Sequence, residues 1–534
     1  MMKKIYVIAA LALATMPLAA QETYENAKIA AEDLNGTARY VGMGGAMEAL
    51  GADISTISSN PAGIGLFRKS NVSASMGLVM QGGSVGNTLG GSTTNVSFDQ
   101  IGFVFSRRTS RTSFLNLAFN FHKSRNFDYI LSASNSLNNN ASQNKQTAWK
   151  GNEGWLYKEK KETITGGEEI YVPDFSAPYY TCNQIDELYA NKLYDKENGW
   201  VYYNAKDFTF NRNHEGYIGV YDFNVSGNIN DRVYLGLTFG LHDVHYKHNG
   251  CYSETFDPSI GSPFDESVSQ MSIVESREIT GTGFDVKGGI IIRPVEESPF
   301  RFGLSVATPT FYTLTTSSYV YASKDDAAVS KNKYSEVDGR YKFKLYTPWK
   351  FGASLGHTFG SDLALGLSYE YADYSTIDTR YIENGYYDYW NDAYYDRSSS
   401  DKVMNQHTKQ TLKGVHTLKV GAEFKPIPNL SLRAGYNYVS PMYKKSGYKD
   451  GTLDTDGSYC SSATDYTNWD ETHRATCGVG YSIDGFNVSL AYQFSTTNGT
   501  FHPFTNNAEY ETVAPDTKVS NKRHQLLLTL GYSF

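Results

Sequence analysis

The chain has 534 residues and a net charge of −8, with 42 Tyr, 48 Gly and only 19% charged residues. Such Tyr and Gly content disfavours a helical protein, and the aromatic content disfavours disorder. There is no basic footprint for nucleic acid, four scattered Cys make neither a disulfide scaffold nor a zinc site, and no apolar run reaches the roughly 18 residues of a membrane helix. A membrane β-barrel passes every one of these filters, because only alternate residues need be apolar.

The chain opens on Met1-Met2-Lys3-Lys4, an apolar stretch over 5–13 and Pro17-Leu18-Ala19-Ala20. Residues 1–20 read as a secretory signal peptide cut before Gln21. No Cys follows the apolar stretch, which excludes a lipoprotein anchor. Residues 21–70 do not read as strands. Their first part, 24–34, has the character of a short helix ended by Asn35-Gly36. Two glycine-rich runs follow, 37–46 with Gly42, Gly44 and Gly45, and 59–65 with Asn60-Pro61-Ala62-Gly63. No P-loop Lys accompanies them. A compact glycine-rich segment of about fifty residues is the right size to plug a barrel lumen.

From residue 71 the period is two. Leu526, Leu528, Leu530, Tyr532 and Phe534 share one face, against the mostly small or polar Gln525, Leu527, Thr529, Gly531 and Ser533 on the other. The same split recurs in about fourteen segments, roughly 71–81, 96–108, 112–122, 216–228, 232–248, 277–294, 300–311, 338–359, 362–376, 411–425, 429–440, 472–483, 486–496 and 521–534. Even-numbered segments end in short turns such as Asn230-Asp231 and Asp484-Gly485, whereas odd-numbered ones are followed by long polar connections, the longest at 123–215. A soluble sandwich has no reason to sort its loops by parity; a membrane barrel does. The fold class is therefore all-β: a transmembrane antiparallel β-barrel of about 14 strands over 71–534, its lumen plugged by the segment at 21–70. Within 123–215, residues 184–193 have helical spacing, with Ile185, Leu188, Tyr189 and Leu193 on one side.

The motifs Ala38-Arg39-Tyr40-Val41-Gly42-Met43-Gly44-Gly45-Ala46 and Asn60-Pro61-Ala62-Gly63 resemble the amino-terminal hatch signature of the FadL/TodX-type outer-membrane transporters. Leu432-Arg433-Ala434-Gly435-Tyr436 and Thr347-Pro348-Trp349 match that family's style. The resemblance implies fourteen strands and a channel in the bacterial outer membrane. It implies passive uptake of hydrophobic compounds, long-chain fatty acids or aromatic hydrocarbons, through a lumen gated by the hatch. Asn60, Pro61 and Ala62 inherit a place in the hatch beneath the ligand pocket. Tyr532 and Phe534 fit the insertion signal by which barrels reach outer-membrane lipid through the barrel assembly machinery, and a monomer is expected. In the fatty-acid members a kink in the third strand opens the wall sideways; here 112–122 contains neither Gly nor Pro, so the sequence marks no kink. The alternative function is a surface receptor, adhesin or haemin receptor acting through the Tyr-rich outer loops.

Basic residues assigned to the lumen face are Lys287, Arg293, Arg301, Lys342, Lys344, Lys350, Lys419, Arg433 and Arg474, with Asp285 and Glu423 as partners for some; none is singled out as a ligand site. His242 and His248 share a strand face while His245 points away, a poor arrangement for one metal. Cys182, Cys251 and Cys460 fall in expected outer loops and Cys477 on the lipid parity. No Ser, His and carboxylate set is spaced for catalysis. The expectation is a protein that is not an enzyme and has no cofactor, no metal and no nucleic-acid partner.

Overall fold

Alternating apolar and small or polar residues make a surface that is greasy on one side only, and fourteen such strands close on themselves. The structure is a computed structural model that describes residues 22–534 except 84–85, 87, 165–166, 258–268, 325–332, 389 and 391–392. The expected signal peptide and its cleavage point lie outside the described residues. The barrel strands are β1 (Asn71–Gly82), β2 (Thr94–Arg108), β3 (Phe114–Asn126, continued by Tyr129–Ala141), β4 (Ala205–Ile229), β5 (Val233–Thr255) and β6 (Gln270–Ile292). Then come β7 (Arg301–Ala307 and Phe311–Lys324), β8 (Lys333–Tyr346 and Lys350–Phe359), β9 (Leu363–Asp373 and Asp378–Asp388) and β10 (Ala393–Ser400 and Gly414–Ile427). The ring ends with β11 (Leu430–Val439), β12 (Tyr466–Ile483), β13 (Phe486–His502) and β14 (Thr517–Ser533). Every neighbouring pair is antiparallel, and β14 returns to β1 with Ser533 opposite Asn71 and Leu526 opposite Leu78.

The outer face carries a continuous apolar belt. Phe103, Leu117, Val225, Leu237, Leu304, Phe351, Leu367, Val420, Leu432, Val488 and Leu530 are all exposed. An apolar surface running round a whole molecule is far beyond what water tolerates, and it fits a bilayer. Tyr532 and Phe534 stack at 5.9 Å on the same outward face, and the Phe534 amide donates to Ser70 O at 3.0 Å.

Sequence and structure differ at several places. The strands flanking 123–215 run far past the belt, so the connection proper is 142–204; it contains the expected helix, Gln184–Leu193. β5 likewise continues to Thr255, which puts Cys251 on a strand rather than in a loop; all four cysteines are free thiols. Lys342 and Lys344 do not face the lumen. β8 is interrupted at Thr347-Pro348-Trp349, and an odd number of residues in the break flips the parity: Lys350 points inward below it, whereas Tyr341, Phe343 and Leu345 point inward above it. β7 breaks beside it, at 308–310, with Thr310 and Thr347 bonded across the step. Above this level the interior becomes a hydrophobic core that includes Ile279, Leu314, Phe343 and Leu412, and the outer face of β8 turns polar with Glu336, Asp338 and Arg340. The helix expected over 24–34 is Thr23–Ala30 only; residues 31–36 are irregular, and the Asp33 amide bonds Ser124 O of β3.

Candidate functional site

The amino-terminal segment, 22–66, lies inside the ring and bonds to strands on opposite sides of it. Thr238 of β5 donates to Ile57 O at 2.8 Å, Asn116 of β3 to Ile64 O at 2.7 Å, and the Ala38 amide donates to Thr529 of β14 at 2.7 Å. Arg39 grips Glu423 of β10 through a two-pronged pair at 3.0 Å on each side, and Lys419 holds Glu48 at 2.8 Å. Two-pronged guanidinium–carboxylate pairs fix orientation as well as position.

Local sequence explains each turn of this segment. Thr37 caps the helix Ala38–Gly42 by accepting from the Tyr40 amide. Asn60 caps the 3-10 helix Pro61–Leu66 by accepting from the Ala62 amide, and Pro61 suits the first helical position. Gly44 and Gly45 adopt φ of +62° and +80°, a region that costs other residues strain.

What seats the segment is a row of wall glycines. Gly356, Gly366, Gly421 and Gly435 pair directly across β8, β9, β10 and β11. A methyl group on Gly366, Gly421 or Gly435 would collide with the backbone of 43–46, and one on Gly356 would crowd that of 49–50. A second seat, Gly236 opposite Gly289, takes Asn60-Pro61-Ala62 in the same way. Of the sequence motif residues, Gly42, Gly44, Gly45, Asn60, Pro61 and Ala62 are therefore docking residues packed against the wall, Gly63 packs within the segment on Thr56 and Gly51, and none of the seven lines the cavity above.

That cavity measures about 380 Å³ and sits between the segment and β3, β7, β12 and β14. Its lining mixes Phe127, Tyr129, Tyr443 and Trp469 with charged groups. Most cations along it have a carboxylate of their own: Lys28 with Glu25 at 3.0 Å, Lys350 with Glu32 at 2.6 Å, and Lys287 with Asp222 and Asp285 at 3.2 and 3.1 Å. Burial pushes the Asp33 carboxyl up, but Arg125, Arg523 and Arg474 outweigh it and hold the group below the ordinary range. Burial likewise opposes Lys28 at Glu25, and the cation prevails, lowering that carboxyl to about 2. Sequence reading missed His214, which joins His248 across β4 and β5: the Tyr246 hydroxyl lies 2.8 Å from Nδ1 of each and accepts from Lys28 at 2.8 Å. His242 is bonded to Asp285 at 3.0 Å, and His245 is exposed, as its parity predicts. Arg433 binds Glu423 at 2.7 Å and Arg293 binds Asp231 at 3.3 Å. Arg301 donates to Leu50 O at 3.2 Å.

A second cavity, of about 420 Å³, lies above the first and is enclosed by outer-loop residues such as Trp149, His407, Tyr448 and Phe504. The two share Glu22, Tyr24 and Tyr466. Tyr24 stacks on Tyr443 at 5.1 Å and meets Tyr466 at 5.2 Å, forming an aromatic partition.

The wall beside the lower cavity is incompletely laced. The β2–β3 ladder stops at Gln100 opposite His122, whereas β2 goes on pairing β1 as far as Thr94 opposite Met80. β3 bulges between Lys123 and Arg125, breaks at 127–128, and then pairs with β4 alone. Its far part leans toward β1, where the Gln81 side chain bonds both backbone groups of Ile130 at 2.7 and 2.8 Å. A bulge needs no Gly or Pro, so the bend just beyond 112–122 left no mark in the sequence.

No family model matches the chain, and no curated protein matches it. Among solved structures it is similar to a FadL homologue of Pseudomonas aeruginosa, at 12% identity over 94% of this chain and 99% of that one, with a TM-score of 0.49. It is similar to the Ralstonia pickettii toluene transporter TbuX at 12% identity, 94% and 99% coverage and a TM-score of 0.46. The P. putida toluene transporter TodX gives 10% identity, the same coverages and 0.47.

Proposed function

We propose that this chain is a bacterial outer-membrane channel for passive uptake of small hydrophobic or amphipathic compounds. A ligand enters the outer cavity, passes Tyr24, rests in the lumen cavity and leaves when the amino-terminal segment, acting as a hatch, shifts on its glycine seats. The observation that carries this reading is a cavity of about 380 Å³ enclosed by the hatch and the wall of a lipid-facing barrel. That volume suits a small molecule. The gap in the β2–β3 ladder gives such a ligand a side exit toward lipid. No nucleotide motif is present in the sequence, so the gradient drives flux.

A locked hatch tests the proposal. Ala38→Cys with Thr529→Cys joins the segment to β14 where the two already touch. In proteoliposomes, influx of labelled decanoate or toluene stops on oxidation and returns on reduction; influx that persists with the hatch locked refutes the gating. A surface-receptor role is favoured by one feature, the outer hairpin Tyr157–Thr163 and Glu169–Pro178, which exposes Tyr171 and Phe175. Deleting it abolishes partner capture under that reading and leaves influx intact under the first.

A further inference from the structure

The two lysines that the break in β8 turns outward stand where the lipid belt ends. Leu241, Phe284, Phe311 and Tyr346 occupy one register position across β5, β6, β7 and β8, all on the outer face. Phe284 meets Phe311 at 5.2 Å, and Phe311 meets Tyr346 at 4.9 Å. Aromatic rings at the top of such a belt mark the boundary between hydrocarbon and headgroups. The next outward positions of β8 are Lys344, Lys342 and Arg340, each about 7 Å beyond the last. The long connections lie on this side of the barrel, so the cations project among the headgroups of the outer leaflet.

Hydroxyl groups pave the wall beside them. Thr313 lies opposite Lys344, and Thr315 opposite Lys342. Thr282 and Thr280 of β6 follow next to Thr313 and Thr315. Lys342 is exposed and Lys344 half-buried. Among the described residues neither lysine has an acid within salt-bridge reach, whereas Lys287, Lys350 and Lys419 of the lumen each have one. Between Tyr346 and Lys342, the one carboxylate described on the outer face of β7 to β9 is Asp378. It is held by Arg380 at 2.8 Å, and that guanidinium lies 5.2 Å over the Tyr346 ring. Acids return only at the level of Arg340, with Glu278 beside Ser317 and Asp338 one outward position further on. The stretch of positive charge is therefore Lys342, Lys344 and Arg380, set directly on the edge of the apolar belt.

We propose that Lys342 and Lys344, with Thr313 and Thr315 opposite them, bind the phosphomonoester head of an outer-leaflet lipid whose acyl chains lie on Phe311, Tyr346 and the belt beneath. A phosphomonoester carries more than one negative charge at neutral pH and three acceptor oxygens, which two ammoniums and neighbouring hydroxyls can share. Chain and head are then held together, because the cations continue the lipid-facing surface without a gap. The proposal gives the parity reversal at 347–349 a purpose: on an unbroken β8 the same two lysines would face the lumen. It concerns the outside of the wall and does not depend on what passes through the lumen.

The test titrates the full-length barrel in non-ionic detergent with monophosphoryl lipid A, the same lipid without its phosphate, and dimyristoyl phosphatidylglycerol, with bound lipid measured by native mass spectrometry. Wild type is expected to hold the phosphomonoester lipid ten or more times tighter than either other lipid. Lys342→Gln combined with Lys344→Gln should weaken that binding about 30-fold and leave the dephosphorylated lipid within twofold. Arg107→Gln combined with Arg111→Gln removes two exposed cations at the opposite rim and should change nothing beyond twofold. Equal affinity of wild type for the phosphorylated and dephosphorylated lipids overturns the proposal, and that comparison needs no variant. Phosphatidylglycerol binding as tightly as the phosphomonoester overturns the assigned headgroup. Equal loss from the two double variants shows attraction by overall charge and overturns the site, as does binding of none of the three lipids.

Discussion

Replacing Gly435 by Ala puts one methyl group on the lumen face of β11 where the hatch backbone already lies. Built on this backbone, that Cβ falls 2.8 Å from the Gly44 Cα, closer than real Cβ contacts come. The wall strand is laced on both sides, with Gly435 opposite Gly421 and Thr476, so the hatch gives way first. Overpacking of this kind costs about 1–3 kcal/mol. At tenfold per roughly 1.4 kcal/mol, amides over 40–46 should exchange about 5- to 150-fold faster than in wild type. Amides of the outer part of β5, 249–255, which pair with β4 and β6, should keep their protection. Gly44→Ala carries the reciprocal clash, 2.8 Å from the Tyr436 amide nitrogen, and adds a left-handed φ of +62°. That backbone term is worth about 1–2 kcal/mol more, roughly another tenfold in exchange. The assay is hydrogen exchange with mass spectrometry on the detergent-solubilised barrel. Unchanged exchange over 40–46 in both variants would refute the idea that wall glycines seat the hatch.

Glu423 lies between Arg39 and Arg433; Glu423→Gln leaves the buried Arg433 guanidinium and the half-buried Arg39 guanidinium without their carboxylate and should loosen the hatch by about 3 kcal/mol, seen as channel openings in planar bilayers that wild type lacks. Adding Arg39→Gln should restore part of the closure. Acid should open the hatch as well. Asp33 and Glu25 are held below their ordinary values, Glu25 at about 2 against 4.5, so their contribution is complete above about pH 4.5 and is lost as pH falls through the folded-state values. Conductance should therefore rise between about pH 4 and pH 2 and stay flat from pH 6 to 8; a rise confined to the upper range would point to other groups.

The strands were legible because alternation is local: a run such as Leu526, Leu528 and Leu530 records which face meets lipid whatever its neighbours are. The ring order followed, since short and long connections sort by parity. The glycine-rich run over 37–46 announced close packing but not against what. Gly356, Gly366, Gly421 and Gly435 are scattered along the chain, and only the register of four strands makes them one row. Lys342 and Lys344 were misassigned because a three-residue break reverses parity and nothing short of the ladder reveals its length. Arg125, Arg474 and Arg523 come from β3, β12 and β14, so their meeting at Asp33 depends on how the barrel closes around the hatch. Local residue patterns thus determined the wall and its lipid face. The seat, the cavity and its charged lining were decided by long-range pairing, because side chains distant in sequence converge only once the sheet has shut.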